Sequence, residues 1–148
     1  MNDKYIKAVK EFESENWNRA IELFSEAITI EPIFEAYFQR GIAKTNLKEW
    51  VKAIDDFNSA ISIRPNGAFS DQAFYMRGVS KGSLKNFSGA IEDFNIALNI
   101  NSTNQDVLFT RGLTYLQLGQ RDNAVSDLNK AAELGSFEAK KCLGMINR

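Results

Sequence analysis

The sequence predicts an all-α chain in which antiparallel helix pairs stack side by side as a solenoid. Three observations carry that expectation. A skeleton recurs: Arg40-Gly41, Ala53, Asp56-Phe57-Asn58 and Ala60 return as Arg77-Gly78, Ala90, Asp93-Phe94-Asn95 and Ala97, and again as Arg111-Gly112, Ala124, Asp127-Leu128-Asn129 and Ala131. The period is nearly fixed, since Ala20, Ala53, Ala90 and Ala124 stand 33, 37 and 34 residues apart, the length of one small supersecondary unit. Within a copy the apolar residues keep helical spacing, as Ala53, Ile54, Phe57, Ala60 and Ile61 do, which marks one buried stripe on a helix.

Composition bounds the function classes. The 148 residues suit one domain, and 44% apolar with 25% charged residues is ordinary for a folded chain. Eighteen basic and nineteen acidic side chains nearly cancel, so no broad footprint for nucleic acid or anionic lipid is expected. The longest apolar run, Ala73 to Met76, is far too short to span a membrane. The first residues, MNDKYIKAVKEFESE, lack the apolar core of a signal peptide, and a cytoplasmic protein is expected. There is no histidine and one cysteine, Cys142. An internal disulfide, a Cys/His metal site and a Ser-His or Cys-His catalytic pair are thereby excluded. Cys142 is expected to pack in the last helix.

Taken in order, the first copy (about residues 1–33) is the most degenerate. Ala8 stands in the glycine position, with Lys4, Lys7 and Glu11 at the other marked places. Lys4 and Lys7 come early in its first helix and Glu13 and Glu15 late, which opposes the helix dipole. A Lys7–Glu11 contact is expected to offset part of this, and the helix is expected to fray. The second copy (about 34–69) reads as helices over 35–47 and 51–63. Pro65 ends the second of these because it cannot continue the hydrogen-bond ladder. Gly41 is expected to face Ala53 and Ala60 at a close helix approach. The step of 37 locates an insertion, Asn66-Gly67-Ala68-Phe69-Ser70. Asn66-Gly67 is a turn signal, and Ser70 is expected to cap a helix starting at Asp71. The insertion reads as a longer surface loop or, alternatively, as a place where Phe69 joins a binding surface. The third and fourth copies take about 70–103 and 104–136. Gly135-Ser136 then breaks the chain before a closing helix over about 137–147, capped by Ser136. Glu138 lies at its start and Lys140, Lys141 and Arg148 further on, in keeping with the dipole. Phe137, Ala139, Leu143 and Ile146 are expected to cover the open end, as repeat arrays require.

The A-x3-F spacing of Ala20/Phe24, Ala53/Phe57 and Ala90/Phe94, with Pro32 and Pro65 behind, resembles the tetratricopeptide repeat over almost the full length. The departures from that pattern are Tyr37, Phe74 and Leu108 at its Trp position and Arg40, Arg77 and Arg111 at its Leu position. Its Tyr survives only as Tyr115, with Lys44 and Lys81 elsewhere. The resemblance implies a right-handed α-α superhelix whose first helices line a concave groove for a peptide or a helix. The lining can be read off the frame. Tyr5, Phe38, Tyr75 and Phe109 stand three before the glycine position, and Val9, Ile42, Val79 and Leu113 one after it. Ile6, Gln39, Met76 and Thr110 stand two before it, and Glu13, Asn46, Ser83 and Gln117 five after it. The candidate groove comprises Tyr5, Val9, Phe38, Gln39, Ile42, Asn46, Tyr75, Met76, Val79, Ser83, Phe109, Thr110, Leu113 and Gln117, an aromatic and aliphatic floor edged by amides and hydroxyls. The bland alternative is that these aromatics pack helix against helix. Some chaperone-binding members of the family grip a C-terminal carboxylate with a Lys/Asn, Asn, Lys/Arg clamp. Those places here hold Tyr5, Val9, Gln39, Gln72 and Met76 or, one copy on, Phe38, Ile42, Met76, Asp106 and Thr110. Neither set contains a cation, so that clamp is not expected.

The recurring charges have their own logic. Arg40, Arg77 and Arg111 precede each glycine, and Asp56, Asp93 and Asp127 follow sixteen residues later. The first copy has neither, with Lys7 and Leu23 in those places. Features that appear and vanish together predict direct pairing within a copy. Contact with the neighbouring copy, such as Asp56–Arg77, is the rival, and a ligand-binding arginine ladder is the functional alternative. Pairs of this kind would contribute about 0–1 kcal/mol each if exposed. Lys44 with Lys48 and Lys81 with Lys85 read as a solvated edge or, alternatively, as steering for an acidic partner. The function expected is a non-enzymatic protein-interaction module, an adaptor or small assembly chaperone, with no cofactor and no metal. The alternative is a structural component that self-associates or docks through a stack end or the convex face. Carboxylate chemistry is not expected, because Asp55-Asp56 and Glu92-Asp93 read as helix surface and bridges, and the isolated glycines form no phosphate-cradling loop.

Overall fold

The computed structural model describes residues 2–147. Among them nine helices follow one another: α1 (Asp3–Glu13), α2 (Trp17–Ile30), α3 (Phe34–Asn46), α4 (Trp50–Ile63), α5 (Ser70–Ser83), α6 (Phe87–Ile100), α7 (Gln105–Gln117), α8 (Arg121–Glu133) and α9 (Phe137–Ile146). Each helix packs against the next, and α1, α3 and α5 also touch the next odd helix. The result is an all-α solenoid of antiparallel pairs. Met1 and Arg148 lie outside the described residues, and with them the expectation that Arg148 complements the α9 dipole.

The seam within each pair is set by one glycine and one large apolar side chain. A Cβ on Gly41 would fall 2.7 Å from the Phe57 ring, and one on Gly78 2.6 Å from Phe94. At Gly112 the neighbour is Leu128, at 3.1 Å. The expectation that Gly41 faces Ala53 and Ala60 is corrected accordingly. The alanines are wholly buried and let the backbones approach, but a ring fills the space the glycine leaves. Pairs then nest on one another through small clusters, such as Phe34, Phe38, Ala53, Phe57, Ala60 and Ala73 across α3, α4 and α5.

Each pair turns through one left-handed residue seven positions after the glycine frame. These are Glu15 (φ 60°), Lys48 (φ 59°), Lys85 (φ 66°) and Gly119 (φ 72°). Only the last has the residue type that adopts this region without a Cβ penalty. Lys48 and Lys85 are therefore turn residues, not members of a basic edge. Their supposed companions Lys44 and Lys81 instead reach Asp56 and Asp93, at 2.9 and 3.1 Å.

The paired charges meet within each copy, as expected. Arg40 grips Asp56 through Nε (2.9 Å) and Nη2 (2.6 Å), Arg77 grips Asp93 (2.9 and 2.7 Å), and Arg111 grips Asp127 (2.7 and 2.7 Å). The aspartates are 2%, 1% and 5% exposed, so these are buried ties rather than exposed bridges. Each arginine also donates through Nη1 to the preceding copy: to Ser25 (3.0 Å), Asn58 (3.0 Å) and Asn95 (2.8 Å). One guanidinium thus links three helices. The hydrogen bond to Asp127 holds Arg111 charged above its ordinary range despite the opposing effect of burial.

Other local expectations are refined. Ser70 is the first residue of α5 rather than its cap. Its hydroxyl donates to the Arg64 carbonyl (2.7 Å), because the insertion folds back on the end of α4. Ser136 does cap α9, accepting from the Ala139 amide (3.1 Å). Ala139, Leu143, Ile146 and Cys142 pack on Leu108 and Leu128, but Phe137 points outward and is 72% exposed. In α1, Asn2 accepts from the Tyr5 amide and Lys4 bridges to Glu26 on α2 (3.0 Å). Glu11 accepts from the Asn16 side chain (2.7 Å) instead of pairing with Lys7.

Candidate functional site

The odd helices bring eight of the fourteen sequence-predicted lining residues to two cavities. The first, of 270 Å³, lies over α3 and is lined by Phe12, Phe34, Glu35, Phe38, Gln39, Ile42 and Phe69. The second, of 250 Å³, lies between α5 and α7, lined by Gly78, Val79, Gly82, Ser83, Phe87, Phe94, Thr110, Leu113, Thr114 and Gln117. Of the residues read from the frame, Phe38, Gln39 and Ile42 meet in the first, and Val79, Ser83, Thr110, Leu113 and Gln117 in the second.

The remaining six line neither cavity. Tyr5 on α1 donates its hydroxyl to Gln39 Oε1 on α3 (3.1 Å), with its ring 6.0 Å from Phe24. Tyr75 on α5 shares a 3.0 Å hydrogen bond with the Thr110 hydroxyl on α7 and tilts against Phe94 at 5.8 Å. These two tyrosines join neighbouring odd helices. Val9, Met76 and Phe109 pack partly buried on the local core clusters. Asn46 turns back to the Ile42 carbonyl (3.0 Å).

Electrostatics mark the same junctions. Burial raises the Tyr5 phenol above its usual range, and the Glu35 carboxylate adds to the shift. Burial likewise raises Tyr75, with Asp106 adding and the Thr110 hydrogen bond opposing. Both phenols are therefore protonated at neutral pH. Burial works against ionisation of Glu35, but the Arg64 guanidinium at 2.7 Å and a backbone hydrogen bond outweigh it and hold the carboxyl below its usual range. Among the described residues no group of acids, cysteines or histidines is arranged to hold a metal ion, and no helix is long and apolar enough to cross a membrane.

Sequence reasoning passed over Phe12, Phe34, Glu35, Gly82, Phe87 and Thr114 as lining. Phe12 and Gly82 share a signal that could have been read: each stands four residues beyond the glycine frame, one turn from Val9 and Val79 on the same helix face. Phe87 enters from an even helix, which the frame did not reveal.

Comparison with known proteins follows the same geometry. Residues 35–67 and 105–134 each match a family model described as tetratricopeptide repeat. No curated protein matches the chain by sequence. Among solved structures, a MamA protein is 26% identical, with 93% of this chain covering 74% of that one at a TM-score of 0.82. MamA from Desulfovibrio magneticus RS-1 is 16% identical, with 88% of this chain covering 73% of that one at a TM-score of 0.82. A tetratricopeptide repeat protein from Parabacteroides merdae is 22% identical, with 93% of this chain covering 55% of that one at a TM-score of 0.81. With the second and fourth helix pairs matched in sequence and the whole stack matched in fold, the chain is a member of the tetratricopeptide-repeat family.

Proposed function

We propose that the chain is a non-enzymatic interaction module, an adaptor or small assembly chaperone, that binds a peptide or helix of a partner protein along its odd helices. One observation carries the reading: side chains of consecutive odd helices that pack on the core clusters or stand beside them, Phe38 and Ile42 on α3, Val79 on α5 and Leu113 on α7, also border open cavities. Leu113 is 37% exposed although a leucine is favoured in the interior. The hydroxyls and amides beside them, Gln39, Ser83, Thr110 and Gln117, suit fixing a partner backbone. In this reading the four copies and the closing helix act as one domain, residues 1–148, and the protein works in the cytoplasm. Binding needs little rearrangement, because the helices that carry the floor are already locked by buried ties. The test is capture of partners from the native host by the wild type and by the Ile42→Asn/Leu113→Asn double variant. Partners retained by the wild type should be lost by the variant at unchanged helicity, and equal retention would remove the odd-helix face from consideration.

A second reading, self-association through the stack end, has one observation of its own. A Cβ on Gly144 of α9 would meet nothing, whereas Gly41, Gly78 and Gly112 each face a side chain. Phe137 and Met145 beside it are 72% and 55% exposed. Sedimentation at rising concentration separates the two readings, since association that Phe137→Ser abolishes belongs to this end.

A further inference from the structure

The insertion that stretches one period to 37 residues carries a reactive dipeptide. Asn66-Gly67 is the one place in the chain where a glycine follows an asparagine. The side-chain amide of an asparagine can be attacked by the main-chain nitrogen of the next residue, which makes asparagine one of the thermolabile residues. A glycine in that next place has no Cβ to obstruct the approach. The fold leaves this pair open. Residues 65–69 are exposed and lie between α4 and α5. Hydrogen bonds pin the segment on either side: Arg64 Nη1 donates to the Ala68 carbonyl (2.9 Å), the Ser70 amide to the Gly67 carbonyl (3.1 Å) and the Ser70 hydroxyl to the Arg64 carbonyl (2.7 Å). None of them uses the peptide unit between Asn66 and Gly67. Among the described residues neither that unit nor the Asn66 side chain is hydrogen-bonded within the protein. A main-chain amide held in a helical ladder cannot turn onto the side chain before it, and this one is not so held.

The two asparagines that precede a serine are restrained. Asn58 lies within α4, and its Oδ1 accepts from Arg77 (3.0 Å). Asn101 Oδ1 accepts from the Thr103 amide (3.3 Å) and hydroxyl (3.2 Å). What a change at Asn66 would reach is set by Arg64. A Cβ on Gly67 would fall 3.2 Å from Arg64 Cδ, so the arginine stem lies against the glycine. Its guanidinium meanwhile holds Ala68, pairs with Glu35 (2.7 Å) and lies 4.3 Å over the Phe34 ring. Phe69, two residues beyond Gly67, walls the 270 Å³ cavity over α3.

We infer that Asn66 is a site of spontaneous deamidation by water, and that the product loosens the loop presenting Phe69. The Gly67 nitrogen gives its proton to solvent base and attacks Asn66 Cγ. The N–Cγ bond forms, the Cγ–Nδ2 bond breaks, and Nδ2 departs as ammonia after taking a proton back from solvent. One water then opens the five-membered imide. Addition at Cγ breaks the new N–Cγ bond and restores the main chain with an aspartyl side chain. Addition at the former main-chain carbonyl breaks its bond to the Gly67 nitrogen and leaves an isoaspartyl link, which runs through Cβ and Cγ. Each product carries one new carboxylate, and nothing is oxidised or reduced. The isoaspartyl link is one methylene longer than the peptide it replaces, so it moves Gly67 off the Arg64 stem.

The test is incubation of the whole folded protein at mildly alkaline pH, with peptide mass mapping of amide-to-carboxylate conversion at each asparagine. Asn66 should convert at least tenfold faster than Asn58 or Asn101. Its rate in the folded chain should stay within a few-fold of its rate in urea, whereas Asn58 and Asn101 should speed up in urea. Asn66→Gln removes the site, because its longer side chain would have to close a larger ring, and Gly67→Ala should slow conversion at least tenfold. Protection of Asn66 by folding of tenfold or more, or earlier conversion at Asn58 or Asn101, overturns the site. Chymotrypsin should cut after Phe69 faster in aged wild type than in fresh wild type or aged Asn66→Gln, and equal cutting of the three overturns the loosening.

Discussion

The seam inside each helix pair and the face of the odd helices are built from the same repeats, yet they differ in how strictly the repeats are copied. At the seam the three later copies are near duplicates: a glycine against a ring or a leucine, an arginine astride an aspartate, and a third bond back to the preceding copy. On the odd-helix face each copy is different. Phe38 is followed by Tyr75 and Phe109, Glu35 by Gln72 and Asp106, and one junction alone gains a loop with an exposed ring. Repetition marks the parts that hold the stack together, and divergence marks the parts free to meet something specific. The first copy sharpens the contrast. It lacks the arginine, the aspartate and the glycine, and its pair is held by Phe12, Phe24 and Tyr5 with one partly exposed Lys4–Glu26 bridge.

The largest predicted effect tests the seam. Asp93 is 1% exposed and receives Arg77 at two points and Lys81 at a third. Asp93→Ala should cost about 3–5 kcal/mol, because two cations lose their partner in a desolvated site. Chemical denaturation measures it. An Arg77→Met/Asp93→Leu double variant should recover most of that loss. Full recovery would mean that the ties fix the register between copies more than they add stability, while no recovery would make them a main source of it.

Gly41→Leu comes next. The side chain would drive into the Phe57 ring, which is fully buried and cannot swing aside, at a cost of about 1–3 kcal/mol. An unchanged denaturation midpoint would show that the seam tolerates separation and would weaken the contrast with the face. The lesson about sequence reading lies here too. Close approach at Gly41 was legible from its recurrence, but its neighbour was not, because spacing alone does not say whether an alanine or a ring one turn away fills the gap. The Arg–Asp pairs were legible because both members vanish together from the first copy. Their burial was not, since a charged residue mid-helix ordinarily reads as solvated surface. Of the face, the frame gave eight lining residues. It placed Tyr5 and Tyr75 in the floor, where their hydroxyls instead reach across to Gln39 and Thr110. Ser70 was misread for a similar reason: a serine before a helix suggests a cap, and only the backward fold of the insertion onto Arg64 gives its hydroxyl another acceptor.

A smaller effect, of opposite sign, tests the turns that join the helices of a pair. Lys48 holds φ 59° where the fourth copy has Gly119. Lys48→Gly should stabilise by roughly 0.5 kcal/mol, the left-handed penalty of about 1–2 kcal/mol less the ~0.5–1 kcal/mol entropic disadvantage of glycine. Thermal unfolding checks it, and a loss of stability would mean that the lysine makes a contribution at this turn that outweighs its backbone cost.

The smallest effect tests the boundary between seam and face, where the two tyrosines sit. Their folded phenols ionise above the unfolded value. A group whose folded pKa is raised contributes stability that is present below its unfolded pKa, about 10 for tyrosine, and lost as pH rises through the folded value. Denaturation midpoints should therefore be flat with respect to these groups at neutral pH and fall above about pH 10. The Tyr5→Phe/Tyr75→Phe double variant should fall less steeply there, because it has no phenol to ionise beside Glu35 and Asp106. Parallel curves for the two proteins would mean that ionising the phenols does not strain the junctions between odd helices. The tyrosines would then belong with the divergent face rather than with the fixed frame.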